Sequence, residues 1–175
     1  MTVARHERPA ELVNASLEDI AEKYVKRFID TTADWDAYAD ARIDGYRRAR
    51  HGIIGGGVSG KNDDPNVIPP IGFSMAIMFV EPGQGNAAHT HETEELFFVL
   101  KGQLAVFLQD ETGRELWRNL GPWDCLSCPP GVIHGYQNNG HEPVYIQIAL
   151  GKGKPELMGY ADKALFEQRD AHLRT

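Results

Sequence analysis

Two histidines separated by one residue, His89 and His91, are followed by Glu95 in the segment GQGNAAHTHETEELFFVLKG. Side chains of an extended chain alternate between two sides, so these odd-numbered positions share one side. Two neutral imidazoles and a carboxylate suit a borderline divalent transition-metal ion: iron(II), manganese, nickel, zinc or copper. A third imidazole, His134, comes just after the proline-glycine turn of PPGVIHGYQN, where the chain re-enters a strand. A single histidine in a strand is usually surface or satisfied core. His89, His91, Glu95 and His134 are ligand types in two separated segments, and as a set they are candidates for one metal site. Four protein ligands on an octahedral ion leave two positions open, enough for a chelating substrate or for one substrate oxygen together with dioxygen. His6, His51, His141 and His172 have no such setting and are assigned no role.

The elements that must position these side chains lie mostly after Pro70. FSMAIMFV, EELFFVL, QLAVFLQ, CLSC and PVYIQIAL are short strand-like runs, separated by turn signals such as Pro82-Gly83, Lys101-Gly102, Thr112-Gly113 and Asn139-Gly140. Many short strands without intervening helical pattern predict an antiparallel sandwich or barrel, a mainly β fold. In EELFFVL, Glu95, Phe97 and Val99 face inward while Leu96, Phe98 and Leu100 face outward, yet these are apolar too, so the outer face needs cover. Before the strands, apolar spacing from Leu17 to Ile29 behind a Ser16/Asp19 capping box predicts a helix over 17–30. A weaker pattern from Trp35 to Tyr46 predicts a second helix. The Gly- and Pro-rich stretch 52–70 reads as loop with at most one short extended piece. Its Gly55, Gly57 and Gly60 mimic a dinucleotide fingerprint, but the prolines that follow cannot supply the required helix; a loop over a site mouth or at a subunit contact explains them better. The chain thus divides into an N-terminal extension of helices and loop (1–68), a barrel (69–151) and a tail with a short helix (152–175), one structural domain overall.

The first segment resembles the first cupin motif: Gly83, five residues, His89, one, His91, three, Glu95, six, Gly102. The second resembles the second cupin motif through Pro129, Gly131, His134 and Asn138. One departure is Trp123, which stands before Asp124 where the motif usually has glycine. The resemblance implies a double-stranded β-helix, or jelly-roll barrel, with the metal inside. It also implies a homodimer, whose second subunit, or else the N-terminal helix, would cover the outer face. Phe97, Phe107 and Tyr136, with some of Met75, Ile77 and Trp123, are the expected substrate-binding lining, suited to an apolar or aromatic compound.

Of the 175 residues 42% are hydrophobic and 25% charged, an ordinary globular balance. The formal net charge of −7 repels phosphate backbones, so nucleic acid is an unsuitable partner. No run of eighteen apolar residues predicts a membrane span, and the first sixteen residues show no signal-peptide pattern, so a cytoplasmic location is expected. Cys125 and Cys128 cannot build a disulfide scaffold. Three apart on a strand, they face opposite sides, which argues against a redox or zinc pair; Cys125, if inward, would line the pocket. With the family resemblance, the leading expectation is an iron(II) dioxygenase cleaving a carbon–carbon bond in a small aromatic or dicarbonyl compound, and the resemblance implies that Glu95 is also catalytic as proton acceptor. The alternatives are an isomerase, lyase or decarboxylase using the ion as a Lewis acid, and a small-molecule-binding module without turnover.

Overall fold

Alternating inward apolar residues build two antiparallel sheets that face one another across a lumen. The computed structural model describes residues 6–174, so the outermost residues of the extension and tail, including part of the stretch read for a signal peptide, lie outside the described residues. In chain order the strands are β1 (Ala33–Asp34), β2 (Arg48–Ile54), β3 (Ser74–Val80), β4 (His89–Thr90), β5 (Glu95–Lys101), β6 (Leu104–Gln109), β7 (Glu115–Leu120), β8 (Cys125–Cys128), β9 (Ile133–Gln137), β10 (Val144–Leu150) and β11 (Gly159–Tyr160). One sheet runs β1-β2-β3-β10-β5-β8 and the other β11-β4-β9-β6-β7. Strands adjacent in space but distant in sequence make this the double-stranded β-helix expected. Its N-terminal helix, α1 (Leu17–Tyr24), and a C-terminal helix, α2 (Lys163–Glu167), are present.

The core fills the lumen below the site. From the first sheet come Met78, Val80, Phe97, Val99, Val144 and Ile146, and from the second Leu104, Val106 and Tyr136. Burying each of the larger side chains is worth about 1.5–3 kcal/mol. The register places Glu95, Phe97 and Val99 inward, as the alternation in EELFFVL predicted. The outermost β1 and β2, from the N-terminal extension, pair into the first sheet, and β11, from the tail, pairs with β4. Extension and tail are therefore woven into the sheets.

Several expectations require correction. The helix predicted over 17–30 stops at Tyr24, with Val25 extended. Its capping box is present, Ser16 Oγ accepting from the Asp19 N–H at 3.0 Å and Asp19 accepting from the Ser16 N–H at 3.1 Å. None of its residues is buried, so no packing rewards further turns. The second predicted helix is absent except for a 3-10 turn at Ala39–Arg42. Five consecutive residues, Ala37 to Ala41, are buried there; an amphipathic helix with one buried face cannot accommodate that, and tertiary packing overrides helix propensity. Nor does α1 cover the outer face of the sheet. Instead Phe28 packs on His51 (ring centroids 4.7 Å) and Tyr145 (6.1 Å), and Trp35 packs edge-on against Phe79 (6.0 Å). Over β5 the outer face keeps half-exposed Leu96, Phe98 and Leu100.

The glycine-rich stretch runs as strand through Ile54, then makes a 3-10 turn at Gly57–Ser59, and no helix follows it before β3. This disposes of the dinucleotide fingerprint. Trp123 adopts φ 76°, the left-handed conformation that glycine reaches without cost. Its N–H donates to the Val99 carbonyl at 2.9 Å and its ring meets Phe98 edge-on at 6.2 Å, contacts that hold the motif's turn without its glycine.

Candidate metal centre

The predicted ligands meet at one end of the lumen, where the sheets face each other. His89 on β4 is in register with His134 on β9. Glu95 begins β5, flanked in register by Leu150 on β10 and Cys128 on β8. His91 follows β4, and its carbonyl accepts the Gly131 N–H at 3.0 Å, tying the two sequence segments together. All four side chains are buried, and one ligand atom from each lies within 4.8 Å of the others.

Three imidazole nitrogens surround one carboxylate oxygen. The Nε2 atoms of His134, His91 and His89 stand 2.8, 3.0 and 3.5 Å from Glu95 Oε2. The Nδ1 atoms of His89 and His134 each lie 2.8 Å from a backbone carbonyl, of Ala87 and Val132. A carbonyl only accepts, so both Nδ1 atoms carry the proton, and a neutral ring then presents a bare lone pair at Nε2. Lone pairs facing a carboxylate in a buried site repel unless a cation or proton lies among them. His91 adds two buried ring nitrogens without a hydrogen-bond partner. This donor set fits a divalent transition ion, with the carbonyls fixing ring tautomers as they do around bound metals.

Protonation states point the same way. Burial pushes His89 down to about 4, keeping it neutral at pH 7. Burial alone would raise Glu95, but the surrounding histidines outweigh it and hold the carboxyl well below its usual range. At His134 burial opposes the charge, yet the neighbouring Cys128 thiol and Glu95 raise it to about 10. The imidazole that carries charge is thus the one aimed most closely at Glu95, the place that a metal cation would take over.

Of the expected lining residues, Phe97 and Tyr136 border the lumen, their rings edge-to-face at 5.3 Å, with Phe97 5.6 Å from His134. Phe107 does not. His134 and Tyr136 point inward, so Gly135 between them faces out, and the Phe107 ring fills the space where a Cβ at Gly135 would stand, 2.5 Å from the nearest ring carbon. There it packs on Trp117 at 4.8 Å, on the outside of the second sheet. Trp123 is 74% exposed and does not border the lumen. Ile77 lies on the outer parity of β3; Met75 shares that parity but reaches the lumen's edge at the strand end. Of the cysteines, Cys128 faces in beside Glu95 while Cys125 is exposed; both are free.

Other residues of the site escaped the sequence reading. Arg48 and Arg50 on β2 are in register with inward Val80 and Met78, and both are buried. Arg48 Nη2 donates to Asp40 Oδ1 at 2.9 Å, and so does the Tyr160 hydroxyl at 2.9 Å. Asp40 Oδ2 accepts the Ala87 N–H at 3.0 Å, and the Ala87 carbonyl holds His89. A buried ion pair is therefore linked through one peptide to a ligand. Burial would raise Asp40, but Arg48 beside it holds the carboxyl below its usual value. The alternation Arg48-x-Arg50 was the available signal, a one-sided pair if the stretch is read as strand.

Residues 76–150 match the family model of the cupin domain. The chain is 35% identical over 86 residues to the rhicadhesin receptor of Pisum sativum, a match covering 49% of this chain and 40% of that protein. It is similar in fold to the polyketide cyclase RemF from Streptomyces resistomycificus (TM-score 0.59, 18% identity, 82% of this chain and 89% of that one). It is likewise similar to a solved structure of oxalate oxidase (TM-score 0.58, 18% identity, 92% and 72%). The chain spans about 40% of the length of the curated relatives it matches. It carries a cupin domain, and its double-stranded β-helix is the cupin fold. Among the described residues, no helix is long and apolar enough to cross a membrane.

Proposed function

We propose that this chain is a metal-dependent cupin enzyme that receives a small oxygen-bearing substrate at a divalent ion held by His89, His91, Glu95 and His134. The observation that carries this reading is the convergence of three Nε2 atoms on one buried carboxylate oxygen. When bound, such an ion would supply Lewis-acid polarisation of a substrate oxygen and, as iron(II), access to dioxygen chemistry. The chain's own contribution is positional and electrostatic. The Ala87 and Val132 carbonyls orient two rings, Glu95 is the acceptor for a substrate proton, and Phe97 and Tyr136 keep the lumen closed to bulk water.

Oxygen-dependent carbon–carbon cleavage is the first candidate reaction. Metal-assisted decarboxylation or isomerisation is the second. The free cavity beside Glu95 is about 20 Å³, room for about one water, so either reaction requires the lumen side chains to give way to substrate. The fold relatives include an oxidase acting on oxalate and a cyclase, so likeness of fold is compatible with both. Reconstitution with iron(II), manganese(II) or zinc(II), followed by turnover assays in air and under argon, separates them. Turnover that requires oxygen supports the first, equal turnover under argon the second, and turnover of the metal-free chain would reject both.

We also propose a cytoplasmic, homodimeric protein. Free Cys125 and Cys128 suit a reducing compartment, and exposed Leu17 on α1, exposed Val25 and Ile29 just after it, and the half-exposed outer face of β5 suit a second copy. Sedimentation velocity showing a monomer at micromolar concentration would dismiss the dimer.

A further inference from the structure

The outer face of the second sheet carries a groove that the metal centre does not use. Its floor is the outward side of β9, β6 and β7, where Phe107 and Trp117 pack together at 4.8 Å. Its walls come from α2, through Leu165, and from the N-terminal extension, through Tyr46. The groove measures about 720 Å³, within the range of about 300–1,000 Å³ that small-molecule sites occupy. The sheet stands between this groove and the lumen, so a ligand here binds whether or not the four-residue cluster holds an ion.

The groove is negative and aromatic. Glu115 and Asp162 border it, no lysine, arginine or histidine does, and neither carboxylate forms an ion pair among the described residues. Glu115 is fixed without being neutralised: Oε1 accepts from Gln109 Nε2 at 3.2 Å and Oε2 from Trp117 Nε1 at 2.9 Å, both uncharged donors. Asp162 Oδ1 accepts the Leu165 N–H at 2.8 Å, which leaves Oδ2 for a ligand. A second, independent group is Asn86, only 5% exposed and also bordering the groove. Its Oδ1 accepts the Tyr136 N–H at 2.7 Å, while its Nδ2 donates to no group among the described residues. The side chain stands on the groove side of the sheet, since a Cβ on outward-facing Gly135 would meet Asn86 Oδ1 at 2.8 Å beside the Phe107 ring. A buried amide donor calls for an oxygen acceptor.

We propose that this groove is a second binding site, for a small organic cation that also carries an oxygen, an amino alcohol in class. The ammonium lies against the Trp117 ring, which is 41% exposed, with the Glu115 carboxylate beside it. Asp162 adds a second negative charge from the wall, and the ligand oxygen accepts from Asn86 Nδ2. An anion would be repelled by both carboxylates, and a neutral polyol would leave their charge unanswered. The formal net charge of −7 draws cations toward the whole molecule, so the groove's own contribution has to be read against a charge removed elsewhere.

The test compares probes that differ by one feature each. The protein is titrated calorimetrically, in salt of physiological strength, with choline, with its uncharged isostere 3,3-dimethylbutanol, with tetramethylammonium, which lacks the oxygen, and with methyl glucoside. Choline should bind at least about tenfold more tightly than the isostere and more tightly than tetramethylammonium. Trp117→Leu should weaken choline about fivefold or more, and Glu115→Gln about threefold or more. Asp162→Asn, which keeps the cap on α2, should weaken it by a smaller factor. Glu18→Gln, which removes the same charge from α1 outside the groove, should leave binding unchanged. Glu115→Gln, a conservative change on the surface, decides the matter if Trp117→Leu fails to fold. Equal binding of choline and its isostere, binding of methyl glucoside in place of choline, equal losses in Glu18→Gln and Glu115→Gln, or no choline binding up to about 10 mM would each overturn the site. Tetramethylammonium binding as tightly as choline would overturn the amino-alcohol assignment.

Discussion

Replacing Asp40 by alanine removes the counter-charge of a guanidinium only 1% exposed. Asp40 also accepts hydrogen bonds from the Tyr160 hydroxyl and the Ala87 N–H, so three donors lose their partner at once. Breaking a buried ion pair from one side costs about 3–5 kcal/mol, and the lost hydrogen bonds belong to the same network and do not simply add. For a chain of this size 1 kcal/mol shifts the midpoint by about 2–4 °C, so Tm should fall by roughly 6–20 °C. Calorimetric melting of wild type, Asp40→Ala and the double variant Asp40→Ala/Arg48→Met measures this. The double variant should recover much of the loss, because it no longer buries a lone charge. Since the Ala87 peptide links Asp40 to His89, Asp40→Ala should also weaken metal binding about tenfold or more. A Tm drop under about 2 °C, or a double variant less stable than the single, would refute the assignment of Asp40 as the buried counter-charge.

Glu95→Gln keeps the shape but loses the charge at the centre of three imidazoles; metal affinity should fall at least about tenfold and turnover further still. Unchanged turnover in that variant would leave Glu95 a structural role alone. Asp40 is held below its usual value in the folded state, so its stabilising contribution is complete above the unfolded pKa of about 3.9 and disappears as pH falls through the lower folded value. The difference in Tm between wild type and Asp40→Asn should therefore be constant above about pH 5 and shrink below about pH 4; a difference that persists undiminished to pH 2 would contradict this.

The ligand set was legible in the sequence because strand parity and ligand chemistry act locally. His89, His91 and Glu95 share a side on any extended chain, and the turn before His134 announces itself by Pro129, Pro130 and Gly131. Facing across strands was less legible where both parities are apolar: Val106 and Phe107 could each have pointed in, and only the pairing with Gly135 sends Phe107 out. The strand β2 was obscured by its inward arginines, which look like surface residues until Asp40 and Tyr160 arrive from distant parts of the chain. The strand β7 was hidden for the opposite reason: Glu115 to Asn119 are all exposed, so no alternation marks them. The Trp35 to Tyr46 pattern imitated a helix because alanines spaced through it favour one, whereas their burial in succession comes from the barrel.

The account stands or falls on one ion at the four-residue cluster. Elemental analysis of protein purified anaerobically, then reloaded with iron(II) or manganese(II), should give close to one ion per chain in the wild type. His91→Ala should lose most of it while its circular dichroism remains that of the folded barrel, because the His91 ring makes no hydrogen bond and its contact with Gly131 is through the backbone carbonyl, which alanine keeps. Full occupancy in folded His91→Ala, or none in the wild type, would contradict the account.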